Sequence, residues 1–328
     1  MLELSDIRSE QIIQRVQEIS SRVIAESTGT HRCAFRVGGI SVQLHGTRDT
    51  DMTMDSTLLP FCVAPGAADI SIQVERVPTL SPTHGRQLFD SGSVWRLYES
   101  EGDFQFDFKS SAVSVAPYKR LLVDDQFRRA SLLLNDQCFK EDRADPLEYP
   151  LDELLVMHRL TQEQAIELHG VGIVAPDGTS NLFIGHSGAG KSTTARLWTS
   201  LHKVEILSDD RIIVRAETIA GNNALTPSTQ VFMYGTPWHG EAHFALPQRA
   251  PLHRIFVLEH GLGNVITQLS PSQAVSELFA RSFVPFHRHQ YVDHALSFLE
   301  RVAYTIPCYR YSFEPDERAV EKIFQFND

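Results

Sequence analysis

One short run concentrates residues with chemical capacity. Gly185-His186-Ser187-Gly188-Ala189-Gly190-Lys191-Ser192 satisfies G-x-x-x-x-G-K-[ST] at every fixed position. Glycines let such a loop wrap a phosphate without Cβ clashes, while inward-facing amides and a helix N-terminus supply partial positive charge. Lys191 is spaced to reach the β- and γ-phosphates of a nucleotide, and Ser192 to hold Mg²⁺ through its hydroxyl. The expected ligands are ATP and Mg²⁺, and the expected binding run extends from Gly185 through Thr193. The competing reading is a chance glycine-rich turn. Against it stand the apolar residues Leu182–Ile184 before the loop and a helix-compatible run, 193–199, after it.

A second group follows at Ser208-Asp209-Asp210, after the run VEIL. A carboxylate at a strand end beside a phosphate loop commonly holds Mg²⁺, directly or through water. Two adjacent carboxylates allow one to organise the metal while the other accepts a proton from an attacking hydroxyl. Asp is also common in turns, so a solvated turn is the plain alternative. His169 lies inside AIELHGVGIVA, an apolar strand in which a histidine is most often a satisfied core group.

These residues need elements to hold them. AIELHGVGIVA and NLFIG flank the turn Pro176-Asp177-Gly178 and predict two strands, the second running into the loop. HRIFVLEHG predicts a further strand, and SPSQAVSELFARS, HQYVDHALSFLERVAY and ERAVEKIFQF predict helices. Upstream, Asp152 is expected to cap a helix over 153–161 that buries Leu154, Leu155 and His158. The charged stretch Lys140 to Pro150 reads as a linker. Before it, a leading helix is expected over 1–30, then short alternating runs divided by Gly, Asp and Pro, which is the pattern of strands and hairpins. Phe104, Phe106 and Phe108 would form the core face of one such strand. The expected organisation is a helix plus β-rich domain over 1–145 and a nucleotide-binding domain over 146–328.

The stretch LHGVGIVAPDGTSNLFIGHSGAGKSTTARLW, followed by ILSDDRIIVR, resembles the HPr kinase/phosphorylase family and its relatives, the P-loop PEP carboxykinases. In that family a His-bearing strand runs antiparallel into the phosphate-loop strand, and a paired-Asp strand end follows. The resemblance covers 150–328 and is strongest over 165–215. It implies an α/β or α+β HPr kinase-like P-loop domain with a mixed sheet, here preceded by a mainly β domain. It implies Lys191 as the phosphate lysine, Ser192 as the metal serine, Asp210 as the acid/base with Asp209 beside it, and His169 as the active-site histidine. Two departures stand out. Thr193 replaces the family's Glu after the loop serine, and Tyr234-Gly235-Thr236-Pro237-Trp238-His239-Gly240-Glu241 stands where a later metal-binding motif would be. From that segment Glu241 is taken as a second metal carboxylate, after Asp209 as the first, with Gly235 and Gly240 letting the loop approach phosphate. The first 140 residues do not resemble the family's own N-terminal domain. The whole chain is closer to HPr-kinase-related proteins of modified-peptide pathways, including the lasso peptide kinases. The implied activity is an ATP-dependent kinase acting on Ser/Thr of a peptide or protein, and the family's assemblies leave room for a homo-oligomer. A small-molecule hydroxyl kinase and a nucleotide-hydrolysing regulatory protein are the alternatives.

Composition narrows the field further. The net charge is −11, with 16 basic and 22 acidic residues up to Pro150 and 14 and 19 beyond it, so neither half offers the basic stripe that nucleic acid needs. Four dispersed cysteines without CxxC spacing, and an N-terminus lacking a basic-then-apolar leader, point to a reduced, cytoplasmic setting. No apolar stretch approaches a membrane span. His287, His289 and His294 invite a metal reading, but a polar helix start explains them better. Arg249 and Arg254 are candidates for charge stabilisation, and Arg281, Arg288 and Arg301 for holding phosphate or an acidic substrate, with surface solvation the better expectation for each.

Overall fold

The computed structural model describes residues 31–47, 52–110, 114–139, 144–219 and 228–326. The predicted helix over 1–30, and residues 140–143 of the predicted linker, lie outside the described residues. The chain divides into two compact units, one from residues before Tyr149 and one from Tyr149 onward, with Arg36–Ile40 and Ser56–Phe61 counted to the second. The architecture is mixed α/β and strand-rich, with two large mixed sheets and few helices. Among the described residues no helix is long and apolar enough to cross a membrane.

The first unit is a nine-stranded sheet. In chain order its strands are His31–Val37 (β1), Ile40–Gly46 (β2), Cys62–Val63 (β3), Ile70–Val77 (β4), Arg86–Asp90 (β5), Trp95–Ser100 (β6), Asp103–Ser110 (β7), Ser114–Val123 (β8) and Arg129–Asn135 (β9). They lie in the order β3-β1-β2-β4-β9-β8-β7-β6-β5, with β4 parallel to both its neighbours. Phe104, Phe106 and Phe108 are buried on one face of β7, as the alternation predicts. The other face of β7 is buried as well. Asp107 stands opposite Arg120 of β8, and the two form a bidentate pair at 2.6 and 2.9 Å. A buried charge persists only when paired and hydrogen-bonded, and Gln105, Ser81 and Thr83 complete this network.

The second unit holds strands Ala165–Val174 (β10), Ser180–Ile184 (β11), Glu205–Ser208 (β12), Arg211–Ile219 (β13), Ser228–Gly235 (β14), Arg249–Pro251 (β15), Arg254–His260 (β16), Val265–Gln268 (β17), Ser282–Phe283 (β18) and Cys308–Phe313 (β19). Its helices are Leu151–Leu160 (α1), Lys191–Leu201 (α2), Pro271–Phe279 (α3), His289–Thr305 (α4) and Glu317–Phe324 (α5). β10 and β11 form an antiparallel hairpin, then β11, β16 and β19 run parallel. Side-chain alternation splits the core in two. Ile166, Leu168, Leu182 and Ile184 pack with Leu278, Phe298 and Leu299 of α3 and α4. Val171, Ile173 and Phe183 pack with Trp198 of α2 and Val320 and Ile323 of α5. Helices on both faces explain why β10 and β11 read as nearly continuous apolar runs.

One predicted local role fails. Asp152 does not cap α1; it lies inside the first turn, buried, and accepts a 2.7 Å bond from Nε1 of Trp238. The position before the helix is Pro150, which offers no side-chain cap.

Candidate active site

β10 is the element on which the site is built, because its two edges change partners at His169–Gly170. On one edge β13 pairs with residues 165–169 and β12 with 172–174. The intervening chain, Ser208-Asp209-Asp210, is thereby held at the change-over, and the carbonyl of Asp210 accepts a 3.0 Å bond from the Gly170 N–H. On the other edge β18 pairs with 167–168 and β11 with 170–174, Gly170 standing opposite Ile184. The glycine-rich loop, Gly185 to Ser192, starts at the next residue. At the usual strand spacing, its root and Asp210 lie about 10 Å apart across β10.

The loop tip, His186 to Gly188, is exposed, whereas Gly185 and Lys191 are buried. Gly190 adopts φ +97 at the start of α2, and a Cβ there would stand 2.6 Å from Phe313. Gly190, at the position before α2, provides no side-chain cap for the first N–H groups of that helix, which have no intrahelical partner. Helix α3, by contrast, carries a complete capping box from Ser270 and Gln273. Lys191 folds back over the loop and donates to the carbonyls of Gly185 and His186 at 3.0 and 3.1 Å. Burial, with the nearby charges of Arg211 and Arg281, holds its ammonium down to about 8 against the opposing pull of Asp210. Ser192 and Thr193 are half-buried on the first turn.

The paired aspartates do different things. Asp209 is 1% exposed and turned into the protein. Its oxygens accept backbone N–H bonds from Gly240 (3.0 Å), Ala242 (2.8 Å) and Phe244 (3.2 Å). Asp210 faces the site, with Oδ1 2.8 Å from Nε2 of His169 and Oδ2 on the Arg211 guanidinium. Burial pushes the Asp210 carboxyl up, but the His169 hydrogen bond and the charges of Arg211 and Lys191 outweigh it, so the group sits below the usual aspartate range.

Glu241 is exposed on the 240–244 loop. The close approach permitted by Gly235 and Gly240 is to protein: a Cβ on Gly235 would stand 2.0 Å from the Leu246 carbonyl, and one on Gly240 3.0 Å from Asp209. Among the described residues no three His, Cys, Asp or Glu side chains are gathered for a metal. A metal carried by a nucleotide needs only one or two protein oxygens. Ser192 on the first turn fits that smaller demand; Asp209 already serves three amides, and both oxygens of Asp210 are engaged by His169 and Arg211.

Arg249 pairs with Glu217 over the Phe232 ring on an edge strand. Arg254 stands opposite Asn181, at the end of β11 away from the loop.

Motif spacing does not pick out Arg211, Glu153, Glu167 or His260. Arg211 Nε lies 2.8 Å from Glu153 and 3.4 Å from the fully buried Glu167, and its guanidinium stacks 4.1 Å over Phe283. Burial and the adjacent Glu153 carboxylate push Glu167 well above the ordinary glutamate range. A signal for Glu167 was present, since strand alternation sets it on the same face as His169. His260 Nε2 meets the Gly188 carbonyl at 2.7 Å, a contact between β16 and the loop that no local pattern announces.

Compared with known proteins, the chain matches no family model and no curated protein.

Proposed function

We propose that the protein is an ATP-dependent kinase that transfers a phosphoryl group to a hydroxyl, with Ser or Thr of a peptide or protein as acceptor. The observation that carries this reading is the meeting, around His169–Gly170, of a buried phosphate-loop lysine and an aspartate bonded to a histidine. Lys191 and the loop amides would hold the phosphates and stabilise charge that spreads over the transferred group. Asp210, ionised at neutral pH, is available to accept the acceptor's hydroxyl proton, and His169 fixes its orientation. Mg²⁺, when bound with nucleotide, supplies charge neutralisation; Ser192 is the residue that would hold it. The antiparallel pairing of the His-bearing strand with the loop strand supports an HPr kinase-like P-loop domain. The four cysteines form no disulfide with one another, which suits a cytoplasmic setting. Recognition of the acceptor falls to the first unit in this reading, since the phosphate-handling residues all lie after residue 165.

The test is a transfer assay with γ-labelled ATP, the full chain and a panel of Ser/Thr-containing peptides, with phosphate release followed in parallel. Label on peptide hydroxyls is the expected result. Phosphate release without transfer would make the protein a hydrolase, and an absence of ATP binding would end the reading altogether.

A further inference from the structure

We propose that Cys33, Met52, Met54 and Cys62 form a binding site in the first unit for one soft monovalent metal ion, Cu(I). The four residues stand far in sequence from the phosphate-handling residues, and the site does not depend on the kinase reading.

Two sulfur–sulfur contacts locate it. Sγ of Cys33 stands 4.0 Å from Sδ of Met52, and Sγ of Cys62 stands 3.5 Å from Sδ of Met54. Sulfurs bound to one tetrahedral ion at about 2.3 Å lie roughly 3.8 Å apart, so both contacts already have the spacing of ligands that share a metal. The chain has only four cysteines and five methionines. That two of those cysteines each meet a different methionine of Met52-Thr53-Met54 is more than composition alone would bring about.

The sheet carries the two cysteines on one face. Phe35 of β1 stands directly opposite Cys62 of β3, and Cys33, two residues from Phe35, points to the same side. Cys33 and Cys62 are therefore diagonal neighbours, on the order of 7 Å apart, a separation that two thiolates reaching inward to one ion can span. β3 is an edge strand, and Cys62 is exposed while Cys33, Met52 and Met54 are half-buried. An ion thus has access from solvent and would be held against the sheet. Room for the Met52 thioether comes from the end of β2, because its Cε lies 2.5 Å from where a Cβ on Gly46 would stand.

The donor set chooses the ion. No third His, Cys, Asp or Glu gathers with the two cysteines among the described residues, which leaves thioether sulfur to complete the coordination. Zn²⁺ takes thiolate, imidazole and carboxylate, whereas thiolate together with thioether selects Cu(I). On binding, the thiols would release their protons to solvent and coordinate as thiolates.

The full chain, offered Cu(I) as its coloured bathocuproine disulfonate complex under ascorbate, tests this. The unmutated protein should remove one equivalent, read as loss of the visible absorbance. Met52→Leu and Met54→Leu nearly conserve volume and apolarity, and each should weaken that equivalent at least about tenfold, as should Cys33→Ser and Cys62→Ser. Cys138→Ser should leave it unchanged. An absence of uptake, uptake that either Met52→Leu or Met54→Leu retains in full, or loss in Cys138→Ser overturns the site. Equimolar Zn²⁺ should leave the bound Cu(I) in place; displacement by it overturns the soft donor set. Should a cysteine variant fail to fold, as circular dichroism would show, the X-ray absorption spectrum of the unmutated protein with Cu(I) decides. Sulfur ligands alone are expected, and nitrogen or oxygen bound to the ion overturns the proposal.

Discussion

Asp210 Oδ1 lies 2.8 Å from Nε2 of His169, a contact made across two antiparallel strands whose register sets His169 opposite Arg211. Each partner stands at the point where β10 exchanges one neighbour for another. The pair is thus a product of sheet topology, and its neighbour Asp209, one residue away, is turned into the protein to hold a loop. The chemistry expected of two adjacent aspartates divides accordingly.

Asp210→Asn should reduce phosphoryl transfer by about 10²–10⁴-fold, the range for loss of a general base, while ATP affinity changes little. Single-turnover transfer set against ATP binding separates the two effects. An Asp210→Asn protein that transfers at the unmutated rate would remove the base assignment.

Asp209→Asn should act through stability. An amide presents one oxygen and one N–H₂ where the carboxylate accepts three backbone N–H bonds, so a buried donor is left facing a donor. The expected loss is about 1–3 kcal/mol in urea unfolding. Faster amide exchange at Gly240, Ala242 and Phe244 should accompany it.

Lys191→Met should abolish transfer with the fold retained, and it should also remove a pH dependence. Lys191 titrates near 8 in the folded protein against an ordinary 10.5, so between those values the unfolded chain holds the extra proton. Stability of the nucleotide-free protein therefore rises with pH across that window, and the cost of the buried ammonium is fully present below it. In Lys191→Met that component should vanish. Phosphate beside the ammonium raises its pKa, so nucleotide binding near pH 8 should take up protons, which calorimetry in buffers of different ionisation heat would register.

Gly235→Ala should destabilise the second unit by about 1–3 kcal/mol, as overpacking does, because its Cβ would meet two backbone carbonyls, those of Leu246 and Leu207, that cannot swing aside. Thermal unfolding is the measurement. A Gly235→Ala protein with unchanged melting would mean the 246–248 segment yields freely.

In the first unit, Asp107→Ala should cost about 3–5 kcal/mol, because it strands the Arg120 guanidinium, 3% exposed, without its carboxylate. Asp107→Leu combined with Arg120→Met should cost much less, since neither charge is then buried alone. Denaturant unfolding of the two proteins decides between them.

Much of this was legible in the sequence. Spacing alone placed Lys191 at the end of a glycine loop between a strand and a helix, because that backbone path demands glycines at particular positions and the lysine follows by covalent geometry. Alternation placed Phe104, Phe106 and Phe108 on one face and marked AIELHGVGIVA as a strand, since a period of two is a property of the extended chain. The resemblance implied Asp210, but the residue types and their spacing do not say which aspartate faces the site. Asp209 and Asp210 are chemically identical and adjacent, and their opposite roles follow from a register change on β10 and from the arrival of Gly240, Ala242 and Phe244 from far along the chain. Arg281, Arg211, Glu153 and His260 likewise come together only in three dimensions. Local sequence encodes periods and turns, whereas long-range pairing decides which buried charges become neighbours.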